Sequence, residues 1–327
     1  MPALRHAIVI ACWLGALVPA PAGADWAIAV HGGVGGIARG SLSPDQDAAR
    51  RASLARALDA GGAVLARGGP AIDAVEAAVR VLEDDPAFNA GRGAVLSWDG
   101  TVSLDAAIME GPTRRAGAVA GVSTTRNPVS LARAVMERSP HVLLAGPGAD
   151  AFARAQGVPQ EAPGWFVTPE RRTQLKRVKR DGTFDGRKLG TVGAVARDAR
   201  GGVAAATSTG GITAKRWGRV GDSPVPGAGT WAEDSGCAVS ATGSGEMFLR
   251  LGVAHEICAR ARLAGQPQAA AADALIKGEI GQLGGVGGVI VMGREGPGGW
   301  SFSTPGMYRG RLAAGGPADV RIYGDEE

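Results

Sequence analysis

Cysteine is scarce in this chain, at 3 of 327 residues, and histidine nearly so, at 4. Cys12 falls in an N-terminal segment set apart below, which leaves Cys237 and Cys258. Two cysteines do not make a disulfide framework, and sequence leaves their pairing open. Only His31, His141 and His255 lie beyond residue 24, in unrelated contexts, so a transition-metal centre is discounted. With 2 Tyr and 6 Phe, the core must rest on Ala, Val, Leu and Ile. Beyond residue 24 no run reaches the ~18 consecutive apolar residues of a membrane helix. G-x-S-x-G is absent, and the glycines of 31–36 do not match G-x-G-x-x-G, so neither a serine triad nor a phosphate loop stands out.

What is present in excess is glycine, at 53 of 327 residues against a usual share of about 7%. The glycines cluster beside apolar segments, at 31–36, 207–211 and 283–288, without a Gly-X-Y period. That pattern suggests tight turns and close backbone approach at strand ends. The length fits one or two domains, and 45% hydrophobic with 20% charged residues fits a soluble globular chain.

The first 24 residues read as a signal peptide: Arg5 and His6, an apolar run from Ala7 to Val18, and Ala22-Gly23-Ala24 as the cleavage site. Export, periplasmic or secreted, is therefore expected, with no membrane attachment after removal. The net charge of +4 is mostly local, since Arg171, Arg172, Lys176, Arg177, Lys179 and Arg180 share one stretch. No aromatic interleaving accompanies them, so a solvated linker is expected rather than a nucleic-acid surface.

Ser43-Pro44-Asp45-Gln46 reads as a capping box opening a helix that buries Leu54, Leu58 and Leu65. A second helix follows Pro70, with Ile72, Val75, Val79 and Leu82 on one face, and Asn127-Pro128 starts a third. Phe248, Leu249 and Val253 are expected on one helix after residue 246. Strands are expected at 26–31, 101–109, 115–122, 191–197, 202–207, 237–242 and 287–293. Several lack polar alternation and look covered on both faces, so sheets enclosed by helices are the natural α/β architecture. Residues 158–190 show no sustained period and read as a linker ending abruptly at Gly190-Thr191, where a strand begins.

Threonines at strand ends beside glycine, Thr191, Thr209 and Thr242, are the remaining nucleophile candidates. A threonine hydroxyl needs an adjacent base, and one solution is the threonine's own α-amino group, with a pKa of about 7.7–8.0. An internal threonine gains that amine only when the preceding peptide bond is cut. His31, alone in a glycine-rich turn, reads as structural.

At these residues a resemblance becomes plain. HGGVGG at 31–36, FNAGRG at 88–93, LDAAIMEG at 104–111, GTVGAV at 190–195, TSTGG at 207–211, GRVGDSP at 218–224, TGSGE at 242–246 and GMYRG at 306–310 occur in order. Over residues 26 to 310 the chain resembles the plant-type L-asparaginases, or isoaspartyl peptidases, of the N-terminal nucleophile hydrolases. The resemblance implies a four-layer αββα sandwich made as a precursor that cuts itself between Gly190 and Thr191. The products would be an α subunit, 25–190 (158–190 its linker), and a β subunit, 191–327, together forming one domain and pairing as (αβ)2. It implies hydrolysis of L-asparagine to aspartate and ammonia, and of β-aspartyl dipeptides. No cofactor is required.

By motif position, Thr191 would be nucleophile and base, and Thr209 would position its hydroxyl. Thr242 and the Gly243 N–H would hold the oxyanion. Arg219 would bind the substrate α-carboxylate and Asp222 its α-ammonium, with Gly245 making a backbone contact. Asn89 is a further substrate-binding candidate. Backbone carbonyls of Leu82, Glu83, Asp85, Phe88, Ala90 and Arg92 would bind a structural sodium ion. Taken singly, Arg219 and Asp222 could be a surface ion pair, and Thr209 and Thr242 could cap strand ends.

There are departures: Ser244 where the family commonly has threonine, Ala214 where it often has asparagine, the bulky Arg216-Trp217, and Trp231 to Asp234. They put specificity in doubt rather than chemistry. The linker is also comparatively short. Two rival readings are glycosylasparaginase, disfavoured by Gly190 where that relative usually has aspartate, and an exported amino-acid-binding protein without turnover.

Overall fold

The computed structural model describes residues 25–182 and 190–326. The expected signal peptide and residues 183–189 of the expected linker lie outside them.

Capping chemistry starts the first helix where the sequence says it should. In α1 (Pro44–Ala66) the Ser43 hydroxyl accepts from Gln46 N at 3.2 Å, and the Gln46 side chain accepts from Ser43 N at 3.1 Å. Then come α2 (Ala71–Asp84), α3 (Pro128–Arg138), α4 (Gly146–Ala155), α5 (Pro163–Phe166), α6 (Pro169–Asp181), α7 (Gly245–Leu251), α8 (Val253–Ala264) and α9 (Gln268–Asp273). Leu54, Leu58, Leu65, Ile72, Val75, Val79 and Leu82 are all buried, as their spacing requires.

Two expectations change. Residues 158–190, read as an irregular linker, carry α5 and α6. Thr168 caps α6 by accepting from Arg171 N at 3.2 Å, and Gly182 closes it in a left-handed conformation with φ 61°. Only Leu175 and Val178 are buried on α6, so charge on the remaining faces hides its period. The single helix expected through Phe248, Leu249 and Val253 is broken at Gly252, whose φ of 58° ends α7 and starts α8.

The strands are β1 (Ala27–Gly35), β2 (Leu104–Glu110), β3 (Ala116–Val122), β4 (Leu143–Ala145), β5 (Val192–Arg197) and β6 (Val203–Thr209). They continue as β7 (Thr230–Ala232), β8 (Ala238–Gly243), β9 (Gly287–Met292), β10 (Gly299–Phe302), β11 (Gly306–Ala313) and β12 (Asp319–Tyr323). An eight-stranded sheet runs β12-β11-β1-β5-β6-β2-β3-β4, and a four-stranded sheet runs β10-β9-β8-β7. All neighbours are antiparallel except β3 and β4. All seven expected strands are present; β4, β7, β10, β11 and β12 were not anticipated.

Three apolar clusters tie these parts together. The first joins α1, α2 and α3 to the large sheet through residues such as Ile28, Val30, Leu58 and Val79. The second joins the two sheets, with Ala27, Ala29, Val195 and Ala205 meeting Ala238, Ile290 and Met292. On β1 the alternation is thus bulky toward helices and small toward the other sheet, which explains a strand without polar alternation. The third joins Val239, Val289 and Val291 of the small sheet to Phe248, Ile257 and Leu275. A Cys237–Cys258 disulfide crosses this last cluster, resolving the pairing that sequence left open.

Candidate active site

The junction at Gly190-Thr191 enters β5 at the centre of the large sheet, where side chains are excluded from one side. A β-bulge in β1 between His31 and Gly33 turns the glycine-rich strand toward this peptide. Gly33 has φ 104°, and a Cβ there would stand 2.8 Å from Gly190 Cα and 3.1 Å from Thr191 N. Only glycine allows that approach.

The other side is held by hydrogen bonds. Asn89 Nδ2 donates to Gly190 O and to Gly211 O, each at 2.7 Å, while its Oδ1 accepts from Val95 N at 2.8 Å. Thr209 Oγ1 donates to Gly190 O at 3.2 Å and accepts from Gly211 N at 2.9 Å. Thr191 Oγ1 donates to Thr209 Oγ1 at 3.0 Å, and both threonines are buried. Two threonine hydroxyls and a carbonyl carbon with two donors on its oxygen therefore share one small volume.

Arg219, Asp222 and Gly245 converge beside it. Cβ atoms built at Gly211 and Gly245 would lie 3.5 and 2.9 Å from the Arg219 guanidinium, and the latter 2.7 Å from Asp222 Oδ1. The Arg219 fork is engaged by Glu246, Nε to Oε1 at 3.0 Å and Nη2 to Oε2 at 3.1 Å. Burial pushes the Asp222 carboxyl up to about 7 against the nearby Arg219 charge, and its Oδ2 has no hydrogen-bond partner among the described residues. Thr242 Oγ1 is likewise buried without a partner. It pairs in register with Gly288, which packs on Val34, next to Gly33; Thr242 thus sits at the Thr191 end of the sheet–sheet contact. Gly243 follows with φ 152°.

Known proteins are similar to this chain over most of its length. A family model described as "Asparaginase" matches residues 24–322. An isoaspartyl peptidase of Salmonella typhimurium is 46% identical over 306 residues, covering 90% of this chain and 98% of that protein. The isoaspartyl peptidase of Escherichia coli is 45% identical over 90% of this chain and 95% of its own. The human isoaspartyl peptidase/L-asparaginase is 43% identical, over 82% and 87%. This chain belongs to the isoaspartyl peptidase/asparaginase family. It is thereby an N-terminal nucleophile hydrolase by family, and an enzyme rather than a binding protein.

Against the sequence expectations, the structure brings Thr191, Thr209, Gly190 and Asn89 into direct contact, and Arg219, Asp222 and Gly245 into a second group beside them. Asn89, expected among the substrate-binding residues, makes three side-chain hydrogen bonds at the junction. The Leu82–Arg92 segment forms a tight loop behind Asn89, where a Cβ at Gly91 would lie 2.4 Å from Glu83 O and one at Gly93 2.0 Å from Phe88 O.

Sequence reasoning missed three supporting arrangements. His31, which lies within β1 rather than in a turn, contacts Ser240 Oγ at 2.9 Å; Ser240 meets Thr207 and Thr207 meets Thr230, each at 2.7 Å. Burial pulls His31 down to about 3, so it is a neutral structural imidazole. Lys215 and Asp105, both buried, pair at 3.5 Å behind Arg219. Glu246 is the third. Its motif was noticed, but no spacing rule couples it to Arg219.

Gly33→Ala tests the steric basis of the junction. With a Cβ at positive φ against Gly190, it should lower stability by about 1–3 kcal/mol in denaturant unfolding. A neighbouring Gly40→Ala, at φ 84° but with nothing within 4 Å, separates the two contributions because it carries the conformational cost alone.

Proposed function

We propose that this chain is a self-processing threonine amidohydrolase acting on L-asparagine and β-aspartyl dipeptides. The observation that carries it is the Gly190 carbonyl, held by Asn89 and Thr209 directly beside the Thr191 hydroxyl. In the precursor, Thr191 Oγ attacks the Gly190 carbonyl carbon, and Asn89 Nδ2 and Thr209 Oγ1 stabilise the oxygen that becomes negative. The peptide C–N bond breaks as the ester to Oγ forms, and the Oγ proton passes to the departing Thr191 nitrogen. Water then cleaves the ester, leaving a Gly190 carboxylate and a free Thr191 amine. Gly190, lacking Cβ, tolerates the strained geometry this needs.

In the mature enzyme the amine takes the Oγ proton, and Oγ attacks the substrate's side-chain carbonyl. Thr242 Oγ1 and Gly243 N–H receive the oxyanion. The proton passes to the leaving ammonia or amino acid, and water releases aspartate. Arg219 exchanges the Glu246 carboxylate for the substrate α-carboxylate, two oxygens for two oxygens, and Asp222 gains an ammonium for its unpartnered Oδ2.

The layering fits an αββα sandwich: helices on the large sheet, two sheets in contact, helices on the small sheet. Fragments 25–190 and 191–327 would stay associated because their strands interleave, with β1 lying between β11 and β5 and β6 paired to β2. Pairing into (αβ)2 follows from the resemblance. A sodium ion on the Leu82–Arg92 carbonyls would stiffen the loop carrying Asn89; the crowding of Glu83 O and Phe88 O onto glycine suits a hard cation with oxygen ligands. The N-terminal leader supports export, and the Cys237–Cys258 disulfide suits an oxidising compartment. Among the described residues no helix is long and apolar enough to cross a membrane.

Thr191→Ala should abolish both processing and asparagine hydrolysis, and Thr191→Ser should retain both at reduced rate; a processed, active alanine variant would overturn the proposal. Arg219→Ala should process normally but lose tenfold to over a hundredfold in kcat/KM, from a charge-assisted bond of about 1.5–3 kcal/mol. Lysine there should rescue only in part.

The pH dependence follows from Asp222. Its carboxyl must be ionised to accept an ammonium, and burial holds it protonated below about 7. Substrate KM should therefore rise as pH falls through 7, with an Asp222→Asn variant showing a raised but pH-flat KM over the same interval.

A further inference from the structure

The departures Arg216 and Trp217 lie on the wall of a cavity of about 510 Å³ that Arg219 closes on one side. Trp98, Lys215 and Ser103 complete much of the lining. Gly211 connects it to the nucleophile: its N–H reaches Thr209 Oγ1, and a Cβ built on it would lie 3.5 Å from the Arg219 guanidinium. L-Asparagine is too small to engage both Arg219 and this space.

The lining has a definite chemistry. Trp217 is 95% exposed, and its backbone has φ 56°, a conformation bulky residues rarely adopt. Ala214 has φ 62° at the other end of the same turn. Trp98 is 39% exposed, with the Arg216 guanidinium 3.4 Å from its ring centroid. The other cations of the wall are engaged, Arg219 by Glu246 and Lys215 by Ser103 O at 2.7 Å and Asp105. Arg216 makes no ion pair among the described residues, and the one carboxylate of the lining, Asp99, is bound to Thr101. An exposed indole beside a guanidinium that is stacked on a second indole, with no ion pair among the described residues, matches a carboxylate joined to a flat apolar group.

We infer that this cavity is the leaving-residue subsite, taking the second residue of a β-aspartyl dipeptide and favouring an aromatic side chain there. Arg216, held on the Trp98 ring, would bind the dipeptide's terminal carboxylate, and the exposed Trp217 would stack on its side-chain ring. The inference rests on the amidohydrolase reading and deepens it, because asparagine, whose leaving group is ammonia, cannot use the subsite.

The test is kcat/KM on β-aspartyl-phenylalanine, β-aspartyl-alanine and L-asparagine for the processed wild-type, Trp217→Ala and Arg216→Gln enzymes. Wild type should prefer the phenylalanine dipeptide over the alanine one by about two- to tenfold, the range of an aromatic contact. Trp217→Ala should erase that preference. Arg216→Gln should lower both dipeptides by about tenfold or more, a charge-assisted bond lost. L-Asparagine should change by less than about twofold in either variant. An equal loss on all three substrates, or unchanged dipeptide rates, overturns the subsite. Wild-type hydrolysis of asparagine with neither dipeptide accepted overturns it while leaving the amidohydrolase reading intact, whereas inactivity on all three defeats both.

Discussion

The close approach of Gly33 to the Gly190–Thr191 peptide is the constraint on which the site depends. It requires a glycine at positive φ on β1, a bulge to aim that strand, and a second glycine at 190, where a Cβ would stand 2.9 Å from Asn89 Cβ. Around the same peptide, Gly210 lies where a Cβ would meet Asn89 Oδ1 at 2.6 Å, and Gly193 where one would meet Ser240 Oγ at 1.9 Å. The unusual glycine content is thus partly the cost of packing backbone, amide and hydroxyl groups around one bond without intervening side chains.

Polar groups brought this close must be satisfied or held in reserve. Asn89 commits all three side-chain hydrogen bonds to backbone atoms, which fixes Gly190, Gly211 and Val95 relative to one another. Asp222 Oδ2 and Thr242 Oγ1 are buried without partners among the described residues, an arrangement that is unfavourable in isolation. Under the proposed function a substrate ammonium and an oxyanion would supply what they lack. The Arg219–Glu246 pair behaves differently: it gives the guanidinium a carboxylate in advance, so substrate binding becomes an exchange of like for like rather than the capture of a bare charge.

Much of the fold was legible because local chemistry and tertiary packing agree there. The capping box at Ser43, the apolar faces of α1 and α2, and the glycine-bounded strands each carry their own signal. The helix α6 was not legible, since only Leu175 and Val178 face the core and the basic residues obscure its period. Strands β11 and β12 escaped for a related reason: Arg309, Arg311 and Arg321 gather around Trp300, and Arg309 is buried in a strand that reads as polar. Within the site, motifs identified the residues but not their contacts. The His31–Ser240 contact joins positions 209 residues apart, and no single-sequence pattern encodes such a pairing. Asn89 stood out only through its motif, and its importance came from geometry.

The central claim is that the chain cuts itself at one bond. Intact-mass analysis of the purified wild-type protein, with N-terminal sequencing of each fragment, measures this directly. The account predicts two associated chains, one beginning at Thr191 and the other ending at Gly190. A single uncut chain that nevertheless hydrolyses asparagine, or a β fragment beginning at any residue other than Thr191, would contradict it.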